Sequence, residues 1–239
     1  MRCCIDRRAF CPWQHSAELN FPDALCAKIR PVSFAVLYRA VGGRFRRRRR
    51  GWLLSEFAEC RTVVDLGGTV EGWAGSAPFE SITLVNIASN GDHLPPGFRH
   101  VQADALCLAL PSASFDLAYS NSAIEHLGTF ERQHQFARQM LRLGRRVYCQ
   151  TPDRWFPIEP HYLAVFLHWL PAGWFGHRAH RWLTAQGLAQ RPNAERSAEI
   201  RRREAIRLLT KKELQELFPG CQIRVERFCG WPKSYTAWR

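Results

Sequence analysis

The chain has 239 residues, enough for one large or two small domains, and its 46% hydrophobic and 23% charged residues suit a globular protein with a full core. That composition excludes a wholly disordered or fibrous chain. The net charge of +13 is regional: residues 1–50 hold 12 Lys/Arg against 3 Asp/Glu, residues 176–212 hold 10 against 3, and the remainder is slightly acidic.

In chain order, residues 1–30 mix Cys, Pro, Trp and charge without periodicity and read as a tail. Its Cys3, Cys4, Cys11 and Cys26 with His15 match no familiar zinc spacing. A helix is expected from Pro31 to Tyr38, interrupted at Gly42-Gly43, with a second piece over Trp52–Ala58 beyond the Arg46–Arg50 run. Short β-branched or apolar runs at Thr62–Leu66, Ser81–Ile87, Phe98–Gln102, Phe115–Ser120 and Arg145–Gln150 predict strands. Glu131–Leu143 carries Phe136, Met140, Leu141 and Leu143 at helical spacing. An aromatic-rich insertion follows Pro152, then a basic helix near Ala194–Leu209, a helix at Lys211–Phe218, and a strand pair at Gln222–Phe228 and Ser234–Trp238. Strands alternating with helices indicate a parallel α/β sheet covered on both faces. The domains expected are a basic, partly helical extension over 1–50 and a main domain over 51–239, with an aromatic and basic insertion at about 153–210.

No run reaches the ~18 apolar residues of a membrane span; the nearest, Tyr162–Phe175, is broken by His168, Pro171 and Gly173. Nine cysteines without a CxxC pair point to reduced thiols and a cytoplasmic setting.

In an open parallel sheet, ligands bind outside the carboxyl ends of the strands where strand order reverses, so those ends are where chemistry is sought. The first strand ends Val64-Asp65-Leu66-Gly67-Gly68-Thr69, a turn that lets a ligand approach backbone N–H groups closely. The second ends at Asn86, the third is followed by Asp104, and the fourth ends Tyr119-Ser120-Asn121.

This series resembles class I S-adenosylmethionine-dependent methyltransferases, particularly the group related to quinone and small-molecule methylases. The similarity runs from about Arg61 to Pro152 and is most specific over Leu110–Leu127: a Leu-Pro loop, Phe115-Asp116 opening a strand, then Glu125-His126-Leu127. The resemblance implies a three-layer Rossmann-like fold, a mostly parallel seven-stranded sheet with an antiparallel C-terminal strand, and S-adenosyl-L-methionine as cofactor. It assigns Gly67, Gly68 and Thr69 to the methionine end, with Asp65 ordering the loop or meeting the ammonium. Asn86 stands where the family usually has an acid for the ribose, and accepts without charge assistance. Asp104 and Ala105 would meet the adenine, and Ser120 and Asn121 would lie beside the methyl group.

Two histidines are candidate catalytic residues, His126 in the matched motif and His161 in the Pro-stiffened segment Thr151–Tyr162, where this fold places its acceptor. Ser122 replaces the first Glu of a metal-binding variant of the motif, so no metal site is expected. The function implied is methyl transfer to a small-molecule or lipid-linked acceptor, on O or C, by in-line displacement. Alternatives are an RNA methyltransferase docking through its arginines or a non-catalytic binding protein. Aromatic residues of Tyr162–Phe175 beside basic ones suggest peripheral membrane contact, whereas the Arg46–Arg50 run reads first as solvated charge.

Overall fold

The computed structural model describes residues 32–73, 79–88, 94–159, 164–169 and 205–239. Its first element is α1 (Val32–Glu56), followed by β1 (Thr62–Leu66), β2 (Ser81–Asn86), β3 (Phe98–Gln102) and β4 (Phe115–Asn121). Then come α2 (Phe130–Leu143), β5 (Gly144–Pro152), the two-residue strands β6 (Ile158–Glu159) and β7 (Ala164–Val165), α3 (Lys211–Leu217), β8 (Gln222–Phe228) and β9 (Trp231–Trp238). One seven-stranded sheet has the order β3-β2-β1-β4-β5-β9-β8. β1 to β5 are parallel, and β9 runs antiparallel to both β5 and β8. This is the mostly parallel α/β sheet expected, and its order reverses between β1 and β4.

Alternation along the strands gives the sheet two different faces. Val64, Leu66, Ala118, Val147 and Cys149 pack under α2 and α3 with Phe136, Met140, Leu143, Leu214 and Leu217. Each such large side chain contributes about 1.5–3 kcal/mol by leaving water. Both helices are capped: Thr129 accepts from Arg132 N, and Thr210 and Glu213 form a reciprocal capping box. The buried Gln133 amide donates to Ile124 O and Arg207 O, tying α2 to the turn after β4 and to the chain entering α3.

The opposite face is covered by α1. Leu53 and Phe57 are buried against Val63, Leu84, Leu117 and Tyr148, and Trp52 meets Tyr148 and Trp238 edge-on or tilted. Arg146 on β5 pairs with Glu56 and Glu59 and lies 4.7 Å over the Phe57 ring. Unlike the helix of two pieces expected, α1 runs unbroken through Gly42-Gly43. Two glycines cost about 2 kcal/mol of helix propensity, which the docking of Leu53 and Phe57 offsets. The crossovers β1–β2 and β2–β3 hold no α-helix among the described residues, so α1 supplies the layer on this side. The helix expected over 194–209 lies mostly outside the described residues, and residues 205–209 are not helical.

Candidate active site

The carboxyl end of β1 is shaped by two glycines. Gly67 has φ 84°, and a Cβ there would fall 2.7 Å from that of Ala123. A Cβ on Gly68 would fall 1.7 Å from Asp65 Oδ2, so neither position admits another residue without displacing the turn. Asp65 lies beneath this turn, 2% exposed. Its Oδ2 accepts from the Trp73 indole at 2.7 Å, while Oδ1 has no hydrogen-bond partner among the described residues. Burial pushes the Asp65 carboxyl up to about 7, opposed by the indole hydrogen bond. Thr69 precedes the 3-10 turn Val70–Trp73, and its carbonyl accepts from Gly72 N.

Asn86, at the end of β2, is buried and donates through Nδ2 to Gly68 O, so it clamps the glycine turn from the side. Asp104 is exposed, its Oδ1 accepting from Leu106 N at 2.9 Å in a turn that holds Ala105 half-buried against the core. Ser120 is fully buried and donates to Leu66 O at 3.0 Å, which ties β4 to β1 across the switch point. Asn121 is exposed beside it and accepts from Arg49 at 3.3 Å through Oδ1. Ser122 adopts φ 58° and bonds Gln150 on β5 through both N and Oγ.

His126 sits half-buried in the 3-10 turn Ile124–Leu127, next to Glu125, whose buried carboxylate accepts from Thr151 Oγ1. His161 lies outside the described residues. The structure thus gathers Asp65, Gly67, Gly68, Thr69, Asn86, Ser120 and Asn121 at the β1–β4 switch, with Asp104 and Ala105 beyond β3. No group of three or more His, Cys, Asp or Glu side chains able to hold a metal occurs among the described residues.

Beside the switch, under α1, lies a cleft of about 390 Å³ lined by Arg46, Arg47, Arg49 and Arg50 on one side. Trp73, Tyr119 and Tyr148 line the other, and Asn121 and Gly72 border it. His126 is not among its lining residues. The Tyr119 and Tyr148 rings stack at 4.9 Å, with Trp73 tilted 4.8 Å from Tyr119. Arg49 also pairs with Glu226 at 3.5 Å, both side chains nearly buried. Of the run Arg46–Arg50, expected to be solvated charge, Arg46, Arg47 and Arg48 are exposed, while Arg49 and Arg50 are half-buried and turn inward to Glu226, Asn121 and Trp73 O. The sequence signal was the run itself; what it lacked was any local sign that α1 folds back across the sheet.

The residues at the switch fit S-adenosylmethionine. The unpartnered, buried Asp65 oxygen can accept from an ammonium, and the glycine turn leaves no side chain between ligand and backbone. Asn86 uses its Nδ2 on Gly68 O, and its amide oxygen is of the kind that accepts from a hydroxyl.

A family model described as a methyltransferase domain matches residues 76–146, from the β1–β2 crossover into β5. No curated protein matches the chain. Among solved structures, one from Bordetella parapertussis described as a possible exported protein is 15% identical, with TM-score 0.50, and the alignment covers 90% of this chain and 74% of that one. The methyltransferase domain of the bacterial CtHen1-CN is 16% identical, with TM-score 0.46, covering 80% and 96%. The N-methyltransferase NodS from Bradyrhizobium japonicum WM9, in complex with S-adenosyl-L-homocysteine, is 10% identical, with TM-score 0.45, covering 81% and 85%. At such identities these likenesses concern the fold alone. Residues 76–146 therefore match a methyltransferase domain, and they lie on a sheet whose strand order reverses over a glycine turn.

Proposed function

We propose that the protein transfers the methyl group of S-adenosylmethionine to a small-molecule or lipid-linked acceptor held in the cleft beneath α1. The observation that carries this reading is the cleft itself: about 390 Å³, bordered by Gly72 just past the glycine turn and by Asn121 at the end of β4. That volume suits a small ligand. When bound, the cofactor supplies a methyl group already activated on a sulfonium, so the protein's task is mainly placement.

Asp65 holds the cofactor's ammonium, the Gly67-Gly68 turn presents backbone N–H groups, and Asn86 fixes the turn and offers its oxygen to the ribose. Asp104 and Ala105 border the adenine. Ser120 holds the β1 and β4 ends at fixed separation, and Asn121, oriented by Arg49, faces the acceptor. His161, beyond β5, takes the acceptor's proton where the acceptor is a hydroxyl; His126 orients the turn after β4. No described helix is long and apolar enough to cross a membrane, and the aromatic segment near Trp169 would bring a lipid-linked acceptor to the protein by lying at a membrane surface.

The test is to incubate the protein with methyl-labelled S-adenosylmethionine and, separately, lipid extract, small-metabolite extract and total RNA. Label entering the lipid or metabolite fraction supports the reading. Label entering RNA alone overturns it.

A further inference from the structure

We propose that the cleft beneath α1 is an anion-binding subsite that holds the phosphate or diphosphate group of the methyl acceptor. The proposal rests on the reading above and names the class of acceptor. Arg46, Arg49 and Arg50 stand at i, i+3 and i+4 on α1, so they project from one side of the helix, and Arg47 joins them at the cleft. Guanidinium groups match phosphate oxygens through paired N–H donors.

The positive charge there is poorly compensated. Glu226 meets Arg49 at 3.5 Å but is shared with Ser234, whose hydroxyl donates to it at 2.6 Å. Arg46 and Arg47 form no ion pair among the described residues. Lys233, near the same arginines, has its ammonium pushed down to about 8, by burial first and then by Arg49 and Arg46, with Glu226 opposing. Exposed Arg46 and Arg47 at the cleft, without a carboxylate partner among the described residues and backed by the half-buried Arg49 and Lys233, are what an anionic ligand would neutralise.

The facing wall gives the rest of the ligand its character. Trp73, Tyr119 and Tyr148 form an aromatic surface opposite the arginines. It accommodates a planar or hydrocarbon portion attached to the phosphate. A phosphate held at Arg46 and Arg47 would leave that portion directed along the aromatic wall toward Asn121. Such a ligand is either a lipid diphosphate or a nucleotide-like phosphate ester; the shared chemistry is the phosphate beside an apolar or aromatic group.

The test is calorimetric titration of inorganic pyrophosphate, at near-physiological salt, into the full chain, an Arg46→Gln/Arg47→Gln variant and an Arg44→Gln/Arg48→Gln variant. The second pair has the same charge change on the same helix but lies outside this cleft. Saturable wild-type binding weakened about tenfold or more by the first pair, but less than about twofold by the second, supports the subsite. Equal losses in both variants, or no saturable binding by the wild type, overturn it. Farnesyl diphosphate binding more tightly than pyrophosphate supports a lipid-type acceptor at the subsite, and uridine diphosphate doing so supports a nucleotide-type one. S-Adenosylhomocysteine is titrated in parallel. Failure of the wild type to bind it strikes the methyl-transfer reading, whereas its loss in the Arg46→Gln/Arg47→Gln variant alone assigns these arginines to the cofactor and overturns the subsite.

Discussion

On one face of the sheet Val64, Leu66, Ala118 and Val147 lie under α2 and α3 in a continuous apolar layer. On the other, their neighbours Asp65, Tyr119 and Tyr148 lie toward α1, with a buried carboxylate, two phenols and an arginine-lined cleft. A single residue step separates Val64 from Asp65, so the difference comes from strand alternation and from what each covering helix presents. α2 offers Phe136 and Met140; α1 offers Leu53 in its last turns, with Phe57 just beyond it, and arginines in the turns before. The first face is packed with apolar side chains throughout, and the second keeps a carboxyl group away from water at a cost to stability.

The contrast is broken most strongly on the packed face. Phe136→Ala should cost about 3–5 kcal/mol, read by urea unfolding, because the ring is 2% exposed and bounded by well-packed neighbours. Its affinity for S-adenosylhomocysteine, measured where it remains folded, should stay within about twofold of the wild type, since Phe136 packs on the face of the sheet away from the cleft.

Asp65→Asn should do the opposite. The Asp65 carboxyl is raised from 3.8 to about 7 by burial, so the folded protein holds its proton more tightly than the unfolded chain. That advantage is fully present below about pH 4 and is lost as pH rises through about 7. The neutral amide removes the loss, so ligand-free Asp65→Asn should be more stable than wild type at pH 8 by on the order of 2–4 kcal/mol, and no more stable near pH 4. Matched urea curves at the two pH values check this. A similar difference at both would remove titration as the cause.

Trp73→Phe sharpens the same point with a smaller effect. Its indole hydrogen bond is what lowers the Asp65 carboxyl against burial, so losing it should move the pH midpoint of S-adenosylhomocysteine binding upward. Thr210→Ala, at the capping box of α3, should cost about 1 kcal/mol and leave that midpoint unchanged.

Much of this contrast was legible in the sequence. Short β-branched or apolar runs marked β1 to β5, the final strand pair was expected where β8 and β9 lie, and the Asp65-Leu66-Gly67-Gly68 turn announced itself because few residues can follow a strand that way. The contacts were not legible. Nothing local in Asn86 shows that its amide would hold Gly68 O, or in Ser120 that its hydroxyl would be buried against Leu66 O. Arg46–Arg48 are exposed as read, but Arg49 and Arg50 turn inward, since a charge run gives no sign of its tertiary partner. Its place is set by Leu53 and Phe57 several residues on, and by Glu226 far away in sequence. The glycine pair in α1 misled in the same way, since propensity is local and the docking that overrides it is not.

The most direct test of the account is calorimetric titration of S-adenosylhomocysteine into the wild type and Asp65→Ala at pH 8, where the wild-type carboxylate is charged. The account predicts saturable one-to-one binding by the wild type, weakened by about tenfold or more in the variant through loss of a charge-assisted hydrogen bond. Equal affinity in both proteins, or no binding by folded wild type, would contradict it.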